Sequence, residues 1–373
     1  MEMLFGSLME LTAVDWLKMA VMWVIGGILI FLAIKKEMEP SLLLPMGFGA
    51  ILCNLPNSGA ISQGNETGVL TVLFKSGIDN ELFPLLLFIG IGAMIDFEPI
   101  LSNPKLMLFG AAAQFGIFLT FSLAAIFFPL NDAAAIGMIG AADGPTSIVV
   151  ATKLGSAYRG AIMVAAYSYM ALVPIVQPPI IKLLTTKKER LIHMEYKGRS
   201  VSKLTKILFP IFVTIIAGLI SPGSVALVGF LMFGNLIREC GVLDSLSQTA
   251  QNVLANLITI LLGITVATQM QADKFLQVDT LLIIALGLFA FVFDTAGGVI
   301  FAKIYNIFAK EKINPMIGAA GISAFPMSSR VVHKMALKED PQNFILMQSV
   351  AVNVSGQIAS VIAGGLILSF FGA

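Results

Sequence analysis

The stretch Gly140-Ala-Ala-Asp-Gly-Pro-Thr-Ser147 lies inside an apolar segment that runs from Ala133 to Leu154. Asp143 places a carboxylate in this segment, and inserting a charge into hydrocarbon costs about 2.5–3.5 kcal/mol. Gly144 and Pro145 follow directly, and both residue types interrupt a helix. A costly carboxylate beside interrupted backbone predicts a cation site within a membrane.

The groups around this carboxylate favour a hard cation such as sodium. Pro145 has no N–H, so the carbonyl of Ala141 loses its helical donor. Thr146 and Ser147 add hydroxyl oxygens, and unwound carbonyls at such breaks are known cation ligands. The alternative is a kinked helix in which Asp143 pairs with a basic residue or holds a structural water.

Composition places the chain in the membrane. Of its 373 residues, 57% are hydrophobic and 12% are charged, whereas soluble domains carry about 25% charged residues. The net charge of +1 gives no reason to expect a nucleic-acid partner. Cys53 and Cys240 both lie in apolar segments, and His193 and His333 have no second ligand at metal spacing, so neither residue type predicts a metal cluster or a disulfide framework.

Apolar segments divide the chain into an all-α, polytopic pattern. The run at Met19–Ile34 lacks a small-residue cleavage site and is interpreted as a retained helix. Twelve segments are long enough to cross or enter a bilayer: 17–35, 40–55, 81–99, 105–129, 133–154, 157–183, 204–220, 223–240, 254–270, 279–303, 313–334 and 341–371.

A basic loop at 184–206 separates an N-terminal half, 1–183, from a C-terminal half, 207–373. This loop contains two acidic residues, Glu189 and Glu195, and a larger number of basic residues. These are Lys187, Lys188, Arg190, Lys197, Arg199, Lys203 and Lys206. Excess lysine and arginine marks a cytoplasmic loop. If every segment spans, counting back six crossings predicts that the N-terminus is cytoplasmic too.

An internal repeat connects the two halves. The sequence Ile139–Ala142 recurs as Ile317–Ala320, at an offset of 178 residues. Both copies lie in segments broken by glycine and proline, 133–154 and 313–334, and a long apolar segment follows each. Paired broken segments in matching positions of two halves indicate the binding site of a transporter.

The orientation of the repeats is left open by the segment count. Inverted repeats need an odd number of crossings between equivalent helices, and the twelve segments give six steps. Either the copies are parallel or one segment does not span. The pair 204–220 and 223–240, divided by Ser221-Pro-Gly223, is the suspected exception.

The second broken segment offers neutral ligands. Asn314 precedes a proline and is typical of a helix N-cap. The proline at 326 frees the carbonyl of Ile322, next to Ser323. Asn314 and Ser323 are candidate ion ligands; the alternative roles are capping for Asn314 and helix packing for Gly318 and Ser323.

Four other polar residues lie in apolar segments. Arg330 is interpreted as an anchor for a carboxyl or other anionic group, or as a residue that reaches the interface. Tyr169 could donate a proton or complete a ligand shell, with Tyr167 as the competing candidate. Asn353 is either a ligand or the source of an interhelical hydrogen bond.

The last segment and the segment 279–303 supply further positions. Gly356, Ser360 and Gly364 are interpreted as close-packing positions in the last segment. Asp294 lies in an apolar run and is a secondary candidate, either as a second ion or proton group or as one member of a structural pair.

Long motifs make the chain resemble a known family. They are Gly140–Ser147, Lys312–Pro326, Asp340–Phe344 and the later Asn353. With these motifs the chain resembles the membrane β subunit of the biotin-dependent, sodium-translocating decarboxylases, which include oxaloacetate, methylmalonyl-CoA, glutaconyl-CoA and malonate types. The resemblance covers most of the chain.

The resemblance implies site residues at matching positions. The family's functional residues fall on Asp143, Tyr169, Asn314, Gly318, Ser323, Arg330 and Asn353. Sodium would be held by Asp143, Asn314, Ser323 and Asn353. A proton would pass by Asp143 and Tyr169, and Arg330 would bind carboxybiotin. Gly144, Pro145 and Gly318 would shape the site.

The resemblance also implies the setting of the subunit. It implies about eleven transmembrane helices with inverted repeats, in the inner membrane of a bacterium. Carboxybiotin would be presented by a biotin carrier subunit, beside a carboxyltransferase α subunit and a small membrane γ or δ subunit, with several β subunits in one oligomer. The chain is shorter than the oxaloacetate-type subunits, which favours the acyl-CoA types.

Two functions follow from these residues. The first is a membrane subunit that couples decarboxylation of carboxybiotin, which consumes a proton, to outward sodium transport. The second is a secondary sodium/solute or sodium/proton transporter that works alone, because broken helices and a membrane-embedded acid suit it equally well. A neighbouring gene for a biotin carrier would favour the first.

Overall fold

The computed structural model describes residues 11–62, 67–195 and 200–372, and helices form all its regular structure in these ranges. This confirms the all-α class. Lys197 and Arg199 of the basic loop lie outside the described residues. The α-helices are α1 Ala13–Lys36, α2 Pro40–Cys53, α3 Val69–Gly77, α4 Leu82–Met94, α5 Glu98–Ser102, α6 Met107–Ala113, α7 Phe115–Ala124, α8 Leu130–Gly137, α9 Gly144–Lys153, α10 Arg159–Leu184, α11 Lys187–Arg190, α12 Lys203–Ile220, α13 Val225–Glu239, α14 Asp244–Gln248, α15 Ala255–Val266, α16 Ala272–Phe275, α17 Val278–Phe308, α18 Met327–Glu339 and α19 Leu346–Phe371.

Shorter helical turns connect several of these helices. The 3₁₀ turns are Pro104–Leu106, Met138–Ala141, Pro222–Ser224, Ala267–Gln269 and Pro315–Gly321, and Thr249–Leu254 is a π-helix. Within the described ranges, seven continuous helical spans are long and apolar enough to cross a membrane. They are Ala13–Lys36, Pro104–Ala124, Arg159–Leu184, Lys203–Ile220, Asp244–Gln269, Val278–Phe308 and Leu346–Phe371. The bent pair α3 and α4, at 64°, makes an eighth if it is one span. The figure of about eleven stays a prediction.

Two long helices, α10 and α17, run side by side in the same direction and define the two faces of the protein. Before their first turns, the hydroxyl of Tyr158 donates to Asp279 Oδ2 at 2.9 Å. Near their last turns, Lys303 Nζ donates to the carbonyl of Leu184 at 3.0 Å. Because α10 has 26 residues, it is about 39 Å long at 1.5 Å per residue, so its ends lie on opposite sides of a bilayer. We name them the Tyr158 face and the basic-loop face.

The first broken segment forms a hairpin, residues 130–153, that enters from the Tyr158 face and returns to it. Asp132, near its start, accepts hydrogen bonds from Ser156 Oγ at 2.6 Å and from the N–H of Ala157 at 3.0 Å, just beyond its end. This first hairpin therefore does not cross the membrane.

The second broken segment forms a second hairpin, residues 314–339, with its base at the basic-loop face. Asn314 Nδ2 donates to the carbonyl of Arg190 at 2.7 Å. At the other end, Arg190 Nε donates to Glu339 Oε1, also at 2.7 Å. Because both ends of the segment are held by Arg190, which follows the end of α10, the two hairpins enter from opposite faces.

The hairpins correct two expectations. The sequence predicts that the N-terminus lies on the same face as the basic loop. In the structure, Lys18 Nζ binds Asp273 Oδ1 at 2.8 Å, and Asp273 lies six residues before Asp279 at the Tyr158 face. The count of six crossings included the segment 133–154, which turns back. The expectation that the N-terminal part lies on the side of the basic loop is therefore wrong for the described residues.

The first hairpin also explains why the segment count left the orientation of the repeats open. The suspected pair, α12 and α13, starts and ends near the same face, since Lys206 binds Glu98 and Arg238 Nη2 lies 3.7 Å from Asp96 Oδ2. The Lys206 ammonium lowers the pKa of the Glu98 carboxyl by donating to it. The segments that fail to span are the two hairpins, and neither member of this pair is one of them. Opposite entry is what inverted repeats require, and the repeat itself stays a prediction.

Cysteine labelling should separate the two faces. In a variant with Cys53 and Cys240 replaced by serine, we expect Thr12→Cys and Lys187→Cys to react with a membrane-impermeant maleimide from opposite sides of oriented vesicles. Asp279→Cys is the matched control for the Tyr158 face and should label with Thr12→Cys. Labelling of Thr12→Cys and Lys187→Cys from one side would contradict this arrangement.

Candidate functional site

The tips of the two hairpins meet through a backbone hydrogen bond. The N–H of Ser323 donates to the carbonyl of Ala141 at 3.0 Å. This is the carbonyl that Pro145 deprives of its helical donor. The interruption of the first hairpin is thus completed by the second hairpin, and the two broken segments form one joint structure.

Asp143 lies at this contact, as the N-cap of α9, and is only 3% exposed. Ala142 before it adopts a left-handed conformation with φ of 50°, which turns the chain into the new helix. Thr146 donates to the carboxylate twice, from Oγ1 to Oδ2 at 2.6 Å and from its N–H to Oδ1 at 3.4 Å. Ser147 Oγ caps the break by donating to the carbonyls of Asp143 and Met138.

Helix α19 supplies the remaining partners of the carboxylate. Gln357 Nε2 donates to Asp143 Oδ2 at 2.9 Å, and Ser360 Oγ donates to the same atom at 3.2 Å. Ser360, which the sequence suggested as a packing position, is therefore a polar contact of the site. No basic side chain of the described residues lies within 4 Å of Asp143 as an ion pair. The alternative of a structural salt bridge is contradicted.

The same helix completes the tip of the second hairpin. Asn353 Nδ2 donates to the carbonyl of Ile322 at 2.7 Å, and Ser323 Oγ donates to the carbonyl of Gly356 at 2.9 Å. The amide oxygen of Asn353 is buried without a hydrogen-bond partner. Asn353 lies one turn before Gln357, so this free acceptor is about 6 Å along the helix from a donor to Asp143.

Asn314 is the predicted site residue that lies elsewhere. Its Oδ1 accepts the N–H of Met316 at 3.1 Å, which confirms the predicted N-cap. Its Nδ2 donates to the carbonyls of Arg190 and Ile192. The side chain is thus engaged at the base of the second hairpin, not at its tip. The structure does not bring it to Asp143, and its role as a sodium ligand has no geometric support.

The predicted structural glycines are contact points. A β-carbon on Gly318 would lie 2.5 Å from the carbonyl carbon of Gly298, so the second hairpin packs backbone to backbone on α17. A β-carbon on Gly144 would overlap the ring of Tyr167. Pro145 lies in the first turn of α9, a position that proline favours because its backbone angle suits the start of a helix.

The two tyrosine candidates point to different neighbours. Tyr167 is buried against Gly144, next to Asp143, and its hydroxyl has no hydrogen-bond partner. The hydroxyl of Tyr169 donates to the carbonyl of Ile284 on α17. Residues two apart face opposite sides of a helix, so the structure brings Tyr167 to the carboxylate and places Tyr169 toward α17. The proton-transfer role of Tyr169 stays a prediction.

Arg330 lies on α18, four residues beyond Pro326, and is exposed. No carboxylate among the described residues lies within 4 Å of its guanidinium. Glu39, on the turn between α1 and α2, is close enough to interact with this guanidinium: burial raises the pKa of Glu39, and the charge of Arg330 opposes this rise. The guanidinium can therefore accept an anion from the basic-loop side.

Sequence reasoning missed Gln357. The available signal was its spacing: Asn353, Gln357 and Ser360 recur at four and three residues, which places three polar side chains on one face of α19.

Removing the Gln357 amide tests this contact. A hydrogen bond to a charged group contributes about 1.5–3 kcal/mol, so we expect Gln357→Leu to weaken sodium activation by about tenfold or more. Gln348→Leu is the matched control, because Gln348 lies on the same helix and donates to the carbonyl of Met194. The measurement is the sodium dependence of activity. Equal sodium activation in both variants would contradict a role of the contact between Gln357 and Asp143.

Two interrupted hairpins that enter from opposite faces and meet beside a buried carboxylate define a membrane protein of the ion-transporter class. Comparison with known proteins gives the particular family. The chain belongs to the Na⁺-transporting oxaloacetate decarboxylase beta subunits, whose family model matches residues 18–371.

Individual relatives agree with this assignment. The chain is 48% identical to methylmalonyl-CoA decarboxylase subunit beta of Propionigenium modestum, with 94% of each chain covered. It is 49% identical to the subunit of the same name from Veillonella parvula, with 94% of this chain and 92% of that one covered. Identity to the oxaloacetate decarboxylase beta chain of Klebsiella pneumoniae is 44%, with 94% of each covered. The chain is thus a multi-pass membrane subunit of a sodium-pumping decarboxylase.

Proposed function

We propose that this subunit carries sodium at the contact between its two hairpin tips, with Asp143 as the charged ligand. The observation that carries the proposal is the hydrogen bond from Ser323 N–H to Ala141 O. It lies directly beside a buried carboxylate that has no basic partner among the described residues. Asn353, whose amide oxygen is free, and Ser323 are the proposed neutral ligands.

Competition for Asp143 couples the proton to the ion. A carboxylate that binds a proton loses the charge that attracts sodium. Moving one charge against 100 mV takes about 2.3 kcal/mol, so the ion must leave its site when the reaction occurs. We infer that uptake of a proton at Asp143 releases sodium. Of the two tyrosine candidates, Tyr167 is the one that lies beside Asp143, and Tyr169 remains the candidate that the family resemblance implies.

The basic-loop face supplies the place where the carboxyl group is lost. Carboxybiotin, when bound, supplies a carboxyl group that leaves as carbon dioxide while a proton is consumed. The exposed guanidinium of Arg330 fits an anionic group at this face, because no carboxylate of the described residues lies within 4 Å of it. Arg330 would orient that carboxylate. Asn314 would hold the base of the hairpin in place rather than bind the ion.

The remaining assignments concern the assembly. We assign the basic-loop face to the cytoplasm, because lysine and arginine accumulate there, and the membrane to the inner membrane of a bacterium. The proposed partners are a carboxyltransferase α subunit, a biotin carrier subunit and a small γ or δ membrane subunit, with several β subunits in one complex. A β subunit implies partner chains in general. The net charge of +1 gives no reason to propose a nucleic-acid partner.

The acyl-CoA type of substrate is favoured. Identity is 48% and 49% to two methylmalonyl-CoA relatives and 44% to the oxaloacetate relative. The alignment with the oxaloacetate relative is 410 positions long, more than this whole chain, whereas that with the Veillonella parvula subunit takes 351. Inserted residues of the oxaloacetate type are therefore missing here. The second hypothesis, a transporter that works alone, has no support from the family.

The test is the sodium dependence of the partial reaction. The subunit purified with its native partners should release carbon dioxide from carboxybiotin only when sodium is present, and avidin should abolish sodium uptake into reconstituted vesicles. Sodium uptake that avidin does not affect would favour the stand-alone transporter.

A further inference from the structure

A second buried acid lies on the opposite side of the first hairpin from α19. Asp294 projects from α17 and is only 1% exposed. A β-carbon on Gly140, in the hairpin tip, would lie 2.6 Å from its Oδ2, and one on Gly116 of α7 would overlap its Oδ1. The carboxyl group is thus enclosed between two glycines, where backbone approaches it closely.

This carboxyl group has no basic partner among the described residues. The N–H groups of Gly116 and Ile117 lie near it, but neither carboxyl oxygen has a partner at hydrogen-bond geometry. The structural pair considered from the sequence is contradicted, because no base of the described residues forms an ion pair with Asp294. By contrast, Asp132 accepts two hydrogen bonds, and Asp143 accepts from three side chains.

The elements packed against α17 bring no positive charge to this point. Helices α6 and α7 and the 3₁₀ turns Met138–Ala141 and Pro315–Gly321 carry no charged residue. The other neighbours of α17 are α8, α10 and α16, and Asp143 lies just beyond the tip of the first hairpin. The titratable groups of these three helices are Asp132, Arg159, Tyr167, Tyr169, Lys182, Asp273 and Lys274. Arg159 and Lys182 lie near the two ends of α10, and Lys274 lies with Asp273 before α17.

We propose that Asp294 is a second proton-binding site of this protein, occupied by a proton while the first hairpin packs against α17. An ionised carboxylate that is buried without a counter-charge is strongly disfavoured, whereas the protonated form is tolerated. A proton needs no ligand shell, and both carboxyl oxygens are buried against the backbone at Gly116 and Gly140. The site therefore takes a proton rather than sodium.

The role of a proton at Asp294 rests on the proposed function, in which proton uptake at Asp143 releases sodium. The tip of the first hairpin lies between two acids, Asp143 on the α19 side and Asp294 on the α17 side. With Asp294 neutral, Asp143 is the one negative charge of the described residues that attracts a cation to the tip. Loss of the proton would add a second negative charge there.

Infrared difference spectroscopy of the purified complex in lipid tests the proposal. At neutral pH and saturating sodium, the C=O stretch of a protonated carboxylic acid should be present in the wild type and lost in Asp294→Asn. Asp132→Asn is the matched control and should keep it, because Asp132 is a buried acid with hydrogen-bond donors. Asp294→Glu should shift the band rather than remove it, which covers a folding failure of Asp294→Asn.

The outcomes separate this proposal from the role of Asp143. A spectrum in which neither Asp294→Asn nor Asp294→Glu alters a protonated-carboxyl band would overturn the second site. The band should survive in Asp143→Asn. If Asp143→Asn pumped sodium normally while the Asp294 band behaved as expected, the sodium assignment would fall and the second proton site would stand.

Discussion

Replacing Asp143 by asparagine should abolish sodium-dependent decarboxylation and sodium transport while the protein still assembles. Asparagine has nearly the same shape and keeps an oxygen that can accept from Gln357 and Thr146. What it removes is the charge. At an effective dielectric constant of 20, two unit charges 4 Å apart attract by about 4 kcal/mol, so sodium affinity should fall by about three orders of magnitude.

Avidin-sensitive sodium uptake into vesicles, together with carbon dioxide release, measures this loss. Asp279→Asn is the matched control, because Asp279 is an exposed acid whose recorded partner is the hydroxyl of Tyr158, and it should pump at the wild-type rate. Full sodium pumping by Asp143→Asn would exclude a ligand role for this carboxylate.

Adding a single methyl group at Gly356 should also disable transport. A β-carbon there would overlap the carbonyl oxygen of Gly321 and lie 2.7 Å from its carbon. Both groups are backbone, so the tip of the second hairpin has to move, and Ser323 loses its bond to the Gly356 carbonyl. Overpacking costs about 1–3 kcal/mol, and misplacement of a site by about 1 Å can lower the rate by about a hundredfold.

The control for Gly356→Ala is Gly27→Ala on α1, where no atom lies within 4 Å of an added β-carbon. There, alanine favours the helix slightly. We expect Gly27→Ala to keep both its sodium uptake and its melting temperature, whereas Gly356→Ala loses transport and melts lower. Wild-type transport by Gly356→Ala would show that the close contact of the hairpin tip with α19 is not needed.

Much of the site was predictable because it depends on local backbone chemistry. Pro145 cannot donate to the carbonyl of Ala141 wherever the segment lies, and the same holds for the second proline and Ile322. The structure satisfies both carbonyls from outside their own segments, through Ser323 and Asn353. The sequence identified the free acceptors, and only the fold could supply their donors.

Side-chain direction was predicted less well. Tyr167 and Tyr169 are the same residue type and lie in the same apolar segment. Of these two, only Tyr167 lies beside Asp143. Gln357 was missed and Asn314 was placed at the ion because hydropathy does not record which helix faces which. These positions depend on contacts between segments that are far apart in the chain, such as Gln357 and Asp143, 214 residues apart.

The sequence alone determined that this is an all-helical membrane protein with an acid and two proline breaks inside apolar segments, because the cost of placing charge and unpaired backbone in lipid leaves few alternatives. Only the tertiary structure decided that each broken segment turns back instead of crossing, and that the two tips meet. An apolar hairpin and an apolar crossing helix have the same hydropathy. They differ in where their ends are held, and long-range bonds such as those of Asp132 and Arg190 decide that.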